Sequence, residues 1–473
     1  MELQVVAIKA LQLLCCLSLL VVLHEFGHYG FSKLFRVRVE KFYMFFNPKF
    51  HLFSTRDKWF TRLFPYFKKN ETEYGIGWLP LGGYVKIAGM VDESMDTEQM
   101  KQPAQPWEFR SQKVWKRFFI MAGGVIMNLI TAWVIYSAVL FTWGHDYVPM
   151  KSIKEGFQFN EYAQSLGFRN GDIPVAADGD SIREFSTSNL RTLSNASVIT
   201  VLRDGGEVAL TMPEDGLNML EMLEMVPPFM MPVAPIVVDS VVPGSPADKA
   251  GMLAKSRIVA IDGTPLATWG DYDEKIYLRR SDVLEAPDCS QADSMRLRKM
   301  EVVFVNPGQE QQTVVMELDK DYMLGVTRAM PAYGVEHEDY TLLSSIPAGL
   351  KFGWNVLAGY VNDLKYIPSK KGAQSVGSFV TIGSIFPAEW DWLKFWNMTA
   401  LISIILAVMN ILPIPGLDGG HIVLLAYEAV TGHAPSDKAM EWIERIGLFL
   451  ILGLMLLGFG NDIVRFVFPL FGL

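Results

Sequence analysis

The chain has 473 residues, half of them hydrophobic and only a fifth charged, and its mean hydropathy is positive. That balance excludes an ordinary soluble enzyme and points to a membrane protein with water-soluble parts. A net charge of −9 gives no argument for nucleic acid as a partner. Cys15, Cys16 and Cys289 are the only cysteines. They make neither a disulfide framework nor a cysteine-rich metal site.

The first apolar run, about Val5 to Phe31, lacks a basic n-region and a small-residue cleavage site, so 1–31 reads as a membrane helix and not a cleaved signal. It closes on VVLHEFGHYG at 21–30, which contains an H-E-x-x-H arrangement. On a helix His24 and His28 lie one turn apart on one face, where both imidazoles can reach a single Zn²⁺. Glu25 stands beside the first ligand, placed to act as a base without ligating. Ionisable groups inside a span are costly and mark functional sites by default.

Residues 31–117 carry 16 Lys and Arg against 9 Asp and Glu, whereas 144–340 carry 17 against 31. The positive-inside rule puts the first region in the cytoplasm and the second outside. Within the basic loop (32–117), GIGWLPLGGYVKIAG at 75–89 has glycines that permit turns and alternating apolar residues that suit a half-buried ribbon. A second span follows at 118–143, with Gly124 and Asn128 inside it.

The acidic region contains a repeat. LGFRNGDIPVAADGDSI at 166–182 matches AGMLAKSRIVAIDGTPL at 250–266 with a constant offset of 84, so that Gly167, Asp178 and Gly179 align with Gly251, Asp262 and Gly263. Each copy predicts a helix end, a turn, a short strand and an Asp-Gly hairpin turn. With its leading VVPGSPADK the second copy resembles a PDZ domain of bacterial proteases; the first is a degenerate relative. The PDZ-like domains span 144–232 and 233–335. They would either bind a peptide or C-terminus by strand addition or act only as steric bulk.

Residues 336–394 form a linker whose apolar positions from Leu343 to Leu364 recur at steps of three and four, which predicts an amphipathic helix starting close to Pro347. It would lie on the membrane surface or pack under the PDZ-like domains. The third membrane segment, 395–430, is broken by PIPG at 413–416 and places Asp418 just beyond the break. Irregular backbone at membrane depth requires protein burial or a wet cavity, and a carboxylate there needs a partner that Zn²⁺ would provide. His421 is read as a packing or supporting residue. A fourth span at 446–460 lies in 431–473, and both termini fall outside.

HEFGH, the GxxxN element Gly124–Asn128 and the NxxPxPxLDGG element Asn410–Gly420 together resemble the site-2 protease family, and the four spans with a tandem PDZ insertion resemble its regulator-of-sigma-E branch. The resemblance implies a polytopic α-helical membrane protein of four transmembrane helices, with two inserted α/β modules and a membrane-associated β-hairpin at 75–89. It implies that His24, His28 and Asp418 bind zinc and that Glu25 is the catalytic acid/base. Asn410, Asn128, Gly82, Gly83 and Tyr84 would hold the substrate backbone. Substrates would be pre-trimmed single-span membrane proteins of the anti-sigma factor type, or remnant signal peptides, cut in the bacterial inner membrane among its lipids. The alternatives are a catalytically silent PDZ-bearing scaffold and an ion transporter.

Overall fold

The structure is a computed structural model that describes all residues except 1–2, 81, 91–102, 187, 214–215, 285–290, 320–321, 330–332 and 469–473. Cys289 lies outside the described residues. Two compact units result: Met1–His145 with Asp339–Leu473, and Asp146–Glu338.

The first unit opens with α1 (Leu3–Leu34), apolar on all faces as a helix bathed in lipid requires. It ends where Arg36 turns left-handed, φ 62°, and the Val37 N–H donates to the Ser32 carbonyl at 2.8 Å, a six-residue closure that satisfies a terminal carbonyl. Four strands follow, β1 (Val39–Met44), β2 (Phe46–Ser54), β3 (Glu73–Leu79) and β4 (Tyr84–Ile87), with the short helix α2 (Lys58–Leu63) between β2 and β3. They form one sheet in the order β2-β3-β1-β4. β3 runs parallel to β1 and β4 antiparallel to it. The hairpin expected at 75–89 is therefore corrected: its two halves are strands, but they flank β1 and pair with it, not with each other. Alternation specifies which face of a strand is buried and leaves its partner open. Here β1 satisfies both, burying Val39 and Tyr43 between them.

The next helix, α3 (Val114–Trp143), crosses α1 at a glycine contact. A Cβ on Gly27 would stand 2.1 Å from the Gly123 carbonyl oxygen, so only glycine allows this approach. Small residues at helix crossings are the usual means of packing spans closely in lipid.

The second unit is built from two modules of one topology. In the first, β5 (Ile173–Ala177), β6 (Asp180–Ser181), β7 (Val198–Arg203) and β8 (Gly206–Thr211) pair in the order β8-β7-β5-β6. In the second, β9 (Arg257–Ile261), β10 (Thr264–Pro265), β11 (Lys299–Val305) and β12 (Gln311–Glu317) pair in the equivalent order β12-β11-β9-β10. The repeat offset holds to the residue: β5 and β9 start at 173 and 257, and the turn residues Asp178 (φ 48°) and Gly179 (φ 89°) match Asp262 (φ 49°) and Gly263 (φ 72°). Two consecutive positive φ values make the turn that suits the twist of paired strands. Each turn aspartate also accepts backbone N–H groups, Asp178 from Val198 at 2.8 Å and Asp262 from Glu301 at 2.9 Å. The second module adds α4 (Trp269–Leu284) and a last strand, β13 (Val326–Arg328). Each module has its own apolar core, around Phe157, Phe159 and Phe168 in one and Trp269, Met300 and Phe304 in the other.

Back in the first unit, α5 (Leu342–Asp363) begins at a capping box between Thr341 and Ser344. Pro347 therefore lies inside the helix and not near its start, which corrects the expected boundary. The box satisfies the first N–H groups, and the proline removes one later hydrogen bond without ending the helix. α5 packs along α3, where a Cβ on Gly349 would meet Ser137 Oγ at 2.3 Å and the Trp133 indole donates to the Ile346 carbonyl at 3.0 Å. The third segment divides into α6 (Trp392–Ile411) and α7 (Asp418–Thr431), and the last helix is α8 (Asp437–Asp462). Among the described residues, four stretches are long and apolar enough to span a bilayer: Gln4–Leu34, Val114–Trp143, Trp392–Ile411 and Arg445–Val467. The fourth extends beyond the expected 446–460 at both ends. α3 touches α1, α5, α6 and α7, and so is the hub of this unit.

Candidate metal centre

His24 and His28 project from one face of α1 toward the start of α7. The break at 412–417 lets that happen: α6 stops at Ile411, and α7 restarts with Asp418 as its first residue. The glycines after Asp418 hold the break closed. A Cβ on Gly419 would come within 2.1 Å of the Leu412 carbonyl oxygen, and one on Gly420 within 2.6 Å of that of Ile414.

The three side chains converge on one point. Asp418 Oδ2 lies 3.3 Å from His24 Nε2 and 3.4 Å from His28 Nε2, and the two Nε2 atoms are 3.2 Å apart. These separations are long for charge-assisted hydrogen bonds, which lie near 2.7–2.9 Å. They match the edge of a tetrahedron about a metal at roughly 2.0–2.1 Å, which is about 3.3 Å. Asp418 Oδ2 is buried and has no hydrogen-bond partner, an orphaned acceptor that a cation would satisfy. Among the described residues no other group of His, Cys, Asp and Glu is brought together in this way. The donor set, two imidazoles and a carboxylate, fits a zinc site with three protein ligands.

Supporting contacts fix the imidazoles. His28 Nδ1 is 2.8 Å from the Ile120 carbonyl oxygen. That contact holds the proton on Nδ1 and leaves Nε2 free for a metal. His24 Nδ1 faces the Asn128 carboxamide, with Nδ2 at 3.2 Å; Asn128 is fully buried, and its backbone carbonyl accepts from Ser403 Oγ of α6 at 2.8 Å. Gly124 makes the space for both rings, since a Cβ there would stand 2.4 Å from His24 Cε1 and 2.6 Å from His28 Nε2.

Glu25 points from α1 toward the sheet, where the Val85 backbone amide of β4 faces its carboxylate. Gly83 packs on the same stretch of helix: a Cβ there would meet Val21 Cγ1 at 3.1 Å and Glu25 Cγ at 3.5 Å. Tyr84 stacks on Tyr43 and Phe46, with centroids at 5.4 and 6.3 Å, and its hydroxyl is 3.1 Å from Asn47 Oδ1. A Cβ on Gly82 would stand 2.7 Å from the Phe46 ring. Gly83 is thus brought to Glu25, whereas Gly82 and Tyr84 pack within the sheet. Asn410 sits on the last turn of α6, half-buried. His421 is half-buried on the first turn of α7 and stands outside the ligand cluster. Sequence reasoning missed the Ile120 carbonyl, the Val85 amide and the Gly27–Gly123 contact. The first two are backbone atoms that no residue type advertises; the third was legible as the small residues inside HEFGH and MAGGV.

Peptidase family M50 matches residues 12–454. The chain belongs to peptidase family M50. It is 27% identical to the regulator of sigma-E protease RseP of Escherichia coli, over 95% of this chain and 97% of that one. It is 25% identical to the regulator of sigma E protease of Haemophilus influenzae, over 95% and 97%. A Neisseria meningitidis protein provisionally named as a zinc metalloprotease is 26% identical over 94% and 97%. The chain is accordingly a metalloprotease of the membrane, and the scaffold and transporter alternatives fall away.

Proposed function

We propose that the chain is an intramembrane zinc metalloprotease that hydrolyses peptide bonds in or near the transmembrane segment of pre-trimmed single-span membrane proteins of the anti-sigma factor type. The observation that carries this reading is the depth of the converging ligands: His24 lies ten residues before the end of α1, about 15 Å along a membrane helix. His24, His28 and Asp418 would hold the ion. Zinc, when bound, supplies a Lewis acid that polarises the scissile carbonyl and acidifies water. Glu25 takes the proton of the attacking water and delivers it to the leaving amine, while the Val85 amide keeps its carboxylate turned to the site. An extended substrate would run past Gly83 along the outer edge of β4, and Asn410 would hold its backbone; strand addition replaces the hydrogen bonds that a helical substrate gives up on unwinding.

The Asn128 carboxamide serves His24 in this account. A metal on Nε2 requires the proton on Nδ1; Asn128 Oδ1 is buried without a hydrogen-bond partner, and a half-turn of the carboxamide, which exchanges it with the Nδ2 now at 3.2 Å, would present it as the acceptor. The modules of the second unit are PDZ-like and act by bulk. Arg328 of β13 reaches α4, pairing with Asp273 at 2.8 Å and lying 5.2 Å over the Trp269 ring, so the space between strand and helix where a peptide would add is already spanned. The protein resides in the bacterial inner membrane, with the basic loop in the cytoplasm and the acidic modules outside.

The test is a tagged single-span substrate with a short ectodomain, co-reconstituted in proteoliposomes. Wild type cleaves it and Glu25→Gln, with zinc retained, does not. Cleavage by Glu25→Gln at the wild-type rate contradicts the reading.

A further inference from the structure

The segment between β2 and β3, DKWFTRLFPYFKK at 57–69, contains four Lys and Arg against one carboxylate. It forms α2 and a following 3₁₀ turn, Pro65–Lys69. Phe60 is its hub, in ring contact with Phe53 of β2 at 5.0 Å, Phe64 at 4.9 Å and Phe67 at 5.4 Å. Around that hub the larger apolar side chains turn outward: Trp59 is 57% exposed, Leu63 66% and Tyr66 80%. Lys58 and Arg62 lie on the same two turns, Arg62 exposed. The base is fixed, because Asp57 accepts the Ser54 N–H and bonds His51 Nε2, both at 2.9 Å. An ordered segment that holds its aromatic residues outward has a face built for an apolar partner.

Its level relative to the bilayer follows from one contact. The Tyr29 and Tyr74 hydroxyls are 2.7 Å apart. Tyr29 lies five residues before the end of α1, about 7.5 Å along the helix. Tyr74 lies at the end of the sheet from which the segment emerges, since Thr55 N–H donates to the Tyr74 carbonyl at 2.8 Å. The segment therefore sits near the level where α1 leaves the hydrocarbon. Lys33 over the Tyr29 ring and Lys116 over Trp115 mark the same level with cations and aromatic rings. Trp and Tyr favour the headgroup region, and a basic amphipathic segment beside it is drawn to anionic lipid.

We propose that residues 58–67 are an interfacial anchor that docks on an anionic lipid headgroup surface at the basic end of α1. Trp59, Leu63, Phe64 and Tyr66 enter the headgroup and acyl boundary, and Lys58 and Arg62 pair with lipid phosphates. The anchor fixes the far edge of the sheet whose near edge, β4, faces Glu25. It rests on the membrane reading of the chain and not on the metal or the protease chemistry.

The test uses the full chain with Cys15, Cys16 and Cys289 replaced by alanine and a nitroxide on Leu63→Cys, in nanodiscs of phosphatidylcholine alone or with phosphatidylglycerol. In the anionic discs, collision with a water-soluble nickel chelate should fall several-fold relative to oxygen, and Lys58→Glu with Arg62→Glu should restore it. Hydrogen exchange of the unlabelled chain over 58–67 should slow several-fold in the same discs. Equal nickel access in both discs overturns the proposal. Shielding that follows protein concentration and not lipid also overturns it, in favour of a second copy of the chain. Zinc content and substrate cleavage, measured on the same samples, report separately on the protease reading.

Discussion

Asn128 of α3 stands against His24 of α1, its carboxamide 3.2 Å from the imidazole Nδ1, with no water-accessible surface of its own. A residue that the GxxxN pattern associates with substrate is thereby in contact with a ligand of the metal centre. Supporting partners of this kind are typically worth about 10–100-fold in metal affinity. Asn128→Leu should lose zinc by that factor in a chelator competition, whereas Asn128→Asp, which keeps an acceptor for the Nδ1 proton, should retain it. If Asn128→Leu holds zinc as wild type does while its KM rises, the residue serves the substrate instead.

Gly124 should tolerate nothing larger than hydrogen. A methyl group 2.4 Å from His24 Cε1 and 2.6 Å from His28 Nε2 must displace both rings. Gly124→Ala is expected to reduce zinc affinity by on the order of tenfold or more while the thermal unfolding of the zinc-free protein changes little. Chelator competition and a thermal scan in detergent decide this together.

At the far end of the membrane unit, Asp462 of α8 is buried and accepts the backbone N–H groups of Ser378 and Thr381, each at 3.1 Å, as well as their hydroxyls. Asp462→Ala leaves these donors unsatisfied, which costs about 1–3 kcal/mol for a buried group. The Tm of the purified protein should fall by several degrees without loss of zinc. An unchanged Tm would show that the last span is held by its apolar contacts alone.

The steric reading of the second unit makes its own prediction. Arg328→Ala should leave both the cleavage of a trimmed substrate and the rejection of an untrimmed one as in wild type. A variant that begins to cleave untrimmed substrate, or that loses the trimmed one, would show that the space between β13 and α4 reads a peptide.

Much of this architecture was legible because its signals are local. Two histidines one turn apart, an aspartate after a proline-broken helix and a pair of Asp-Gly turns at a constant offset each depend on a few neighbouring residues. The structure places all of them as their spacing requires. What was not legible depends on distant partners. β1 inserts between β3 and β4 although nothing in 75–89 names it, because a glycine-rich link suits a crossover as well as a hairpin. Pro347 marked the wrong boundary for α5, since a capping box upstream outweighs one missing hydrogen bond. The contact of Asn128 with His24 was not legible, because a carboxamide inside a span shows that it needs a partner but not which one.

The central claim is that His24, His28 and Asp418 form one zinc site. X-ray absorption at the zinc edge of the purified wild-type protein tests it most directly. The account predicts one zinc per chain with a four-coordinate shell of nitrogen and oxygen at about 2.0–2.1 Å, two imidazoles and no sulfur. Substoichiometric zinc, or a shell with sulfur or fewer than two imidazoles, would contradict it.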